Sequence, residues 1–486
     1  MKVYNSIKNF LDTHNYLIYI FLTALILGAC FFEFFIFIIA GFVLILSLFV
    51  NPTDVLGLLL FVYPFERIFS TVNFLFEIIK CLLILNLFVV HIITSVKNKT
   101  SCSLKIIIGF AVYCIYIILP MHTTNLRNLI LLCAELCLIY IIYKQNVKIN
   151  HVKLIEIFSV SLIVMCFFGT LRPFSDRLKE LITYNVTGNN VFRFIPFSNF
   201  CSNFIALALF LLCIVKYFEK INTYKFVGYS SILFMCGIMT ISRNFAFSVF
   251  LGYVVFSILY LLKYKKKAVK PLCLLAVGFS LALLVSMDKV IELLARAGGD
   301  QVFEVPDEVD TEFFKKVFSG EIRFDPGRKA LWELYLKDIM SSSIVLLFGR
   351  GIGRPLIGQM MPHNMFIYLL WVNGIFGLII YFVVILLFIN FKKINLKTLK
   401  DYLYLLIFII PLVFNMFIDN HPMGKLLFVF LMIMMQLKTE NEVNENNEIK
   451  TKENKSGEFT EENNTDQNNQ ILAKISQEDK KIEINQ

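Results

Sequence analysis

The sequence predicts an all-α polytopic integral membrane protein, with about 12–14 transmembrane helices and one large extracytoplasmic loop. Three observations predict it. Of 486 residues, 57% are hydrophobic and only 17% charged, whereas a soluble chain carries about 25% charged residues. Apolar runs, each about as long as the roughly 20 residues that cross a bilayer, recur from Tyr16 to Leu437. Lysine-rich loops punctuate them with a regular parity.

In chain order the apolar spans fall near 16–31, 34–50, 55–70, 73–95, 104–120, 127–143, 152–169, 198–215, 226–241, 245–262, 271–287, 365–390, 402–418 and 424–437. Each must be helical, because lipid offers no partner to backbone N–H and C=O groups. The first two share an apolar stretch interrupted by Glu33, which predicts a tight hairpin of two short spans. Pro64, Glu66 and Arg67 mark 55–70 as a candidate re-entrant segment. Leu27-Gly28-Ala29-Cys30 has the form of a lipoprotein cleavage box, but Phe31-Phe32-Glu33-Phe34-Phe35 continues the membrane segment, so an uncleaved first helix is expected.

With Lys2 and Lys8 inside, alternation places 96–105, 144–151, 216–225, 263–270 and 391–401 in the cytoplasm. All five are rich in lysine (KYFEKINTYK and KYKKKAVK are two of them). Topology therefore accounts for the net charge of +10, and no nucleic-acid partner is expected. The eleven cysteines lie mostly inside apolar runs and none falls in 288–361, which argues against a disulfide framework. The organisation is then transmembrane helices over 1–287 with a shorter outer loop at 170–197, a large outer loop at 288–364, and C-terminal spans over 365–437. A tail at 438–486, dominated by Asn, Glu, Lys, Gln and Thr, has too few apolar residues to bury a core and is expected to be disordered and cytoplasmic.

This topology sorts the cations. All eleven arginines, including Arg193, Arg243, Arg328 and Arg350, fall on the outer side. Lysine suffices for topology, whereas bidentate grip on phosphate or carboxylate calls for the guanidinium fork. The split points to an outer anionic ligand. Within the large loop, Asp325-Pro326-Gly327 predicts a turn opening an amphipathic helix over 328–340, with Ala330, Leu331, Leu334, Tyr335 and Ile339 as its apolar stripe. Gly349-Arg350-Gly351-Ile352-Gly353 lacks the strand and the lysine–hydroxyl pair of a nucleotide loop and is read as a sharp turn. His363, where the large loop re-enters the membrane, is a candidate general base. Arg243, among Thr240, Ser242 and Asn244, is a candidate anion contact or a snorkelling side chain. No cluster has metal-ligand spacing, so no metal and no cofactor are expected.

These segments combine into a resemblance. His363-Asn364-Met365-Phe366-Ile367-Tyr368-Leu369, continuing to Gly374-Ile375-Phe376-Gly377-Leu378, resembles the signature of the O-antigen ligase and O-antigen polymerase family. Thr240-Ile241-Ser242-Arg243 is similar to its Ser-Arg pair at a helix end, Arg328-Lys329-Ala330-Leu331-Trp332 to its Arg-x-x-x-Trp helix, and Leu347-Phe348-Gly349-Arg350-Gly351 to its Gly-x-Gly turn. Arg193 to Ala206 resembles the entry to an earlier span, with Pro196-Phe197-Ser198-Asn199 as a stretched Pro-Asn. The resemblance covers roughly 190–390.

It implies a metal-independent, inverting glycosyltransferase of the bacterial cytoplasmic (inner) membrane, with its active site facing outward. The donor would be an undecaprenyl-pyrophosphate-linked glycan and the acceptor a glycan or lipid. By resemblance, Arg243 and Arg328 hold the leaving pyrophosphate and His363 orients or deprotonates the acceptor. Arg193, Ser242, Arg350 and Asn364 are the expected substrate-binding residues. Polymerisation of a surface polysaccharide is the leading expectation. Transfer of finished glycan to a lipid, wall or protein acceptor is the alternative, and a lipid-linked-glycan flippase a further one.

Overall fold

The computed structural model describes residues 15–32, 34–65, 75–97, 111, 149–170, 198–240, 242–291, 326–351, 357, 362, 364–388, 403–407 and 409–411. The expected span at 104–120 (apart from residue 111), those at 127–143 and 424–437, the acidic stretch 300–312, and the tail at 438–486 lie outside them. Among the described residues every regular element is helical and none is a strand. The helices Leu75–Lys97, Phe245–Tyr264 and Lys266–Val285 are long and apolar enough to cross a membrane. Shorter apolar helices include Tyr16–Ala29, Phe34–Ser47, Pro52–Phe65, Ser202–Tyr217 and Phe366–Ile380.

α1 (Asn15–Phe31) and α2 (Phe34–Ser47) form the hairpin expected from the break in the first apolar stretch. α3 (Pro52–Val62) opens with proline in its first turn and Asn51 as cap, whose side-chain oxygen accepts from the Asp54 N–H. The helix gives way to a 3-10 turn at Tyr63–Phe65, because Pro64 offers no N–H to continue the ladder. α4 is Leu75–Lys97 and α5 His151–Thr170. Polar atoms within the apolar packing find partners on neighbouring helices: Asn86 Nδ2 donates to the Ser47 carbonyl at 2.6 Å, and Ser161 Oγ to the Phe61 carbonyl at 2.5 Å.

α6 (Ser198–Tyr217) is the centre. Every residue from Ser202 to Lys216 is buried, as expected of a helix apolar on all sides that has other helices around it. α5, α7 (Thr223–Met239) and α8 (Arg243–Tyr264) surround it, and α9 (Lys266–Val285) packs on α7.

The same contacts link particular helix ends. At the starts of α3 and α5, the buried Asp54 pairs with Lys153 at 2.6 Å. Glu156 on α5 pairs with Lys225 on α7 at 3.2 Å. Lys263, near the end of α8, lies over the Tyr217 ring at the end of α6, and Lys270 on α9 over the Tyr224 ring on α7. These residues lie in or beside 149–151, 216–225 and 263–270, so these described parts of three lysine-rich segments gather at one end of the helices. At the other end, Tyr63 packs against Phe204, and Phe245 covers Gly237 so closely that a Cβ there would approach the ring to 1.9 Å.

Candidate functional site

From residue 326 onward the described residues run through α10 (Pro326–Met340), α11 (Ser343–Phe348) and α12 (Met365–Phe388). The expected helix is present, but it begins at Pro326, two residues before the expected start at Arg328. Of its expected apolar stripe, Leu331, Tyr335 and Ile339 pack on α12 and Leu334 does not. Tyr335 and Ile339 are fully buried against Trp371 and Val372 of α12, with Leu331 and Leu336 beside them. Leu334 is 52% exposed. Leu334 points away because α12 takes the face bearing Leu331, Tyr335 and Ile339, four residues apart.

α12 is broken at Gly374, whose backbone (φ 63°, ψ −175°) is non-helical. At the break the carbonyls of Trp371 and Val372 accept hydrogen bonds from the N–H groups of Arg350 and Gly351, at 2.8 and 2.9 Å. The Gly-Arg-Gly turn is thus a backbone clip on the interrupted helix. Gly349 (φ +77°) faces the Val372 carbonyl, and Gly374 faces the Leu347 carbonyl, so each glycine leaves room for the other's segment.

A polar knot closes over the clip. Asp338 accepts from Arg350 through both oxygens, Nε to Oδ2 at 3.0 Å and Nη2 to Oδ1 at 2.6 Å. The Trp371 indole N–H donates to the same carboxylate at 2.8 Å. The Arg350 hydrogen bond holds the Asp338 carboxyl below its ordinary value, burial opposes this, and the Trp371 bond reinforces it. A carboxyl with a lowered folded-state value contributes stability above its ordinary range and loses it as pH falls through the lowered one. The knot should therefore loosen only below about pH 4. Thermal unfolding across the acid range should fall more steeply in wild type than in Asp338→Asn. Parallel curves would mean that the knot carries no pH-dependent stability.

The segment between the clip and α12 is held by α10. The Tyr335 hydroxyl accepts from the Ile357 N–H at 3.3 Å, and the Trp332 indole N–H donates to the Pro362 carbonyl at 2.5 Å. Asn364 then caps α12: its side-chain oxygen accepts from the N–H groups of Phe366 and Ile367 at 3.0 and 3.1 Å. At the other candidate position, Ser242 is the buried cap of α8 and accepts from the Phe245 N–H at 3.3 Å, directly before Arg243. Thr240 closes α7 by donating to the Gly237 carbonyl at 2.6 Å.

The expected site residues thus separate by situation. His363 and Arg193 lie outside the described residues. Arg243 and Arg328 are described by backbone alone, each in the first turn of its helix. Asn364 and Ser242 are helix caps, and the Arg350 fork is engaged by Asp338. α10 carries Arg328 one turn before Trp332, and Trp332 reaches Pro362, so Arg328 and the neighbour of His363 belong to one packed unit. Asp338 and Trp371 escaped the sequence reading, and Gly374 enters it only within the family signature, not as a helix break. The carboxylate twelve residues before Arg350 was the available signal, but a loop sequence does not show which charge it folds onto. Among the described residues no group of three or more His, Cys, Asp or Glu could hold a metal ion.

No family model matches the chain, and no curated protein or solved structure matches it.

Proposed function

We propose that this protein is a membrane glycosyltransferase that lengthens a surface polysaccharide on the outer face of the bacterial cytoplasmic membrane, using an undecaprenyl-pyrophosphate-linked glycan as donor. The reading takes the 12–14-span topology with the lysine-rich segments in the cytoplasm. The gathering of three of those segments at one end of the helices supports that orientation.

The observation that carries the reading is the packed unit α10–α12. It joins the helix that carries Arg328 to Pro362 and the start of α12, and the proposed topology has the chain re-enter the membrane at His363-Asn364. A lipid-linked donor presents a pyrophosphate at that level. Arg328 and Arg243, each in a first helical turn, supply planar forks for it, and helix N-termini favour the same anion. The acceptor hydroxyl oxygen forms the bond to the anomeric carbon while the bond to pyrophosphate breaks. Its electron pair leaves with the carrier, and the acceptor proton passes to His363. Attack opposite the leaving group inverts the configuration. Arg350 serves the architecture, through Asp338, and Asn364 sets the start of α12.

The test is direct. The full-length protein in nanodiscs, given lipid-linked repeat units alone, should release undecaprenyl pyrophosphate and form lengthened glycan on the carrier. Transfer only to an added lipid, wall or protein acceptor would assign the ligase reaction instead. No release with any acceptor would remove the glycosyltransferase reading.

A further inference from the structure

We propose that the corner between α8 and α9 binds an anionic phospholipid, with its phosphate on Lys265, Lys266 and Lys267 and an acyl chain along α9. In the topology proposed above the lipid belongs to the cytoplasmic leaflet; the site rests on α8 and α9 crossing the membrane, and not on glycan transfer. α8 ends at Tyr264 and α9 begins at Lys266, so Lys265 alone makes the corner. Lys263, Lys265, Lys266, Lys267 and Lys270 fall within eight residues there, and all are exposed. No acidic residue occurs between Glu219 and Asp288.

Topology alone does not account for the corner, because other lysines at the same end are engaged. Lys153 pairs with Asp54, Lys216 with Glu219 and Lys225 with Glu156. Lys263 donates to the Tyr217 carbonyl at 3.3 Å, and Lys270 lies over the Tyr224 ring. Among the described residues no carboxylate pairs with Lys265, Lys266 or Lys267. Three adjacent like charges repel one another, and a shared anion relieves the repulsion.

Directly beyond these lysines α9 turns an apolar stripe outward. Val269, Cys273, Val277, Leu281 and Leu284, spaced by three and four residues, are all exposed. Val269 is four residues after Lys265 and three after Lys266, so the stripe starts on the face that carries both. Of the three membrane-length helices, α9 is the least covered by the rest of the protein. Cations at the interface with an exposed apolar stripe running from them match a glycerophospholipid, whose anionic headgroup and acyl chain have the same arrangement. A second copy of this chain placed on the face by a twofold axis would instead set lysine against lysine.

The experiment is native mass spectrometry of the full-length protein, delipidated in a neutral detergent and titrated with phosphatidylglycerol or phosphatidylcholine. Wild type should bind the first about 10–100-fold more tightly at low salt, and the preference should shrink as salt rises. Lys265→Gln, Lys266→Gln and Lys267→Gln combined should remove most of the preference, whereas the three Lys→Arg changes combined should keep it. Lys266→Gln alone gives the same direction if the triple variant does not accumulate. Neutralising Lys97, Lys220 and Lys225 to glutamine, the same loss of charge elsewhere, should leave the preference within about twofold. Equal affinity for the two lipids in wild type, or an equal loss in both glutamine triples, would overturn the site. A dimer that carries no lipid would overturn it too and assign the face to a second copy of this chain. Each of these outcomes leaves glycan transfer to its own test.

Discussion

Alanine at Gly349 or Gly374 is expected to unfold the α10–α12 unit. A Cβ at Gly349 would lie 2.3 Å from the Val372 carbonyl oxygen, and one at Gly374 would lie 2.4 Å from the Leu347 carbonyl. Both obstacles are backbone, so no rotamer change relieves them. Both residues also have positive φ, which costs an L-residue roughly 1–2 kcal/mol before any contact is counted. The combined loss should exceed about 3 kcal/mol and lower the unfolding temperature in nanodiscs markedly. Gly228→Ala is the control: a Cβ there meets nothing within 4 Å, and alanine favours the helix. Glycine variants at 349 and 374 as stable as Gly228→Ala would mean that the clip does not hold the unit together.

The second large effect falls on the forks. Arg328→Ala and Arg243→Ala should each remove about 2–4 kcal/mol of transition-state stabilisation, a loss in kcat of roughly 30–1,000-fold, by analogy with the loss of an oxyanion donor. Arg→Lys at either position should recover little of it, because a point charge cannot reproduce a planar, bidentate contact with pyrophosphate. Near-wild-type lysine variants would reduce both residues to carriers of charge. Alanine variants with wild-type kcat would take them out of the site. Arg350→Ala should behave differently, lowering stability through the loss of its contacts with Asp338.

Much of the helical layout was legible because its determinants are local. The first hairpin followed from interrupted apolar runs, α10 from Asp-Pro-Gly followed by periodic apolar residues, and the Gly-Arg-Gly turn from its glycines. Asn364 carried a cap signal too, a short polar residue immediately before an apolar helix, and the expectation of substrate contact passed over it. What was illegible depended on partners remote in sequence. Nothing in Leu331 to Ile339 indicates that Trp371 selects the face leaving Leu334 outward. Nothing in Gly349-Arg350-Gly351 indicates that its N–H groups meet carbonyls at a break about twenty residues later. Arg350 is expected by resemblance to contact substrate, and in the structure its fork binds the carboxylate of Asp338, twelve residues before it.

Glycan transfer from a lipid-linked donor is decided by the fate of that donor in cells. Carrier-linked glycan would be extracted from cells lacking the protein and from cells restored with wild type or His363→Ala, and its length compared. Single repeat units should accumulate on undecaprenyl pyrophosphate in the first and third, and long surface glycan should form in the second. Unchanged carrier-linked and surface glycan in all three would contradict it.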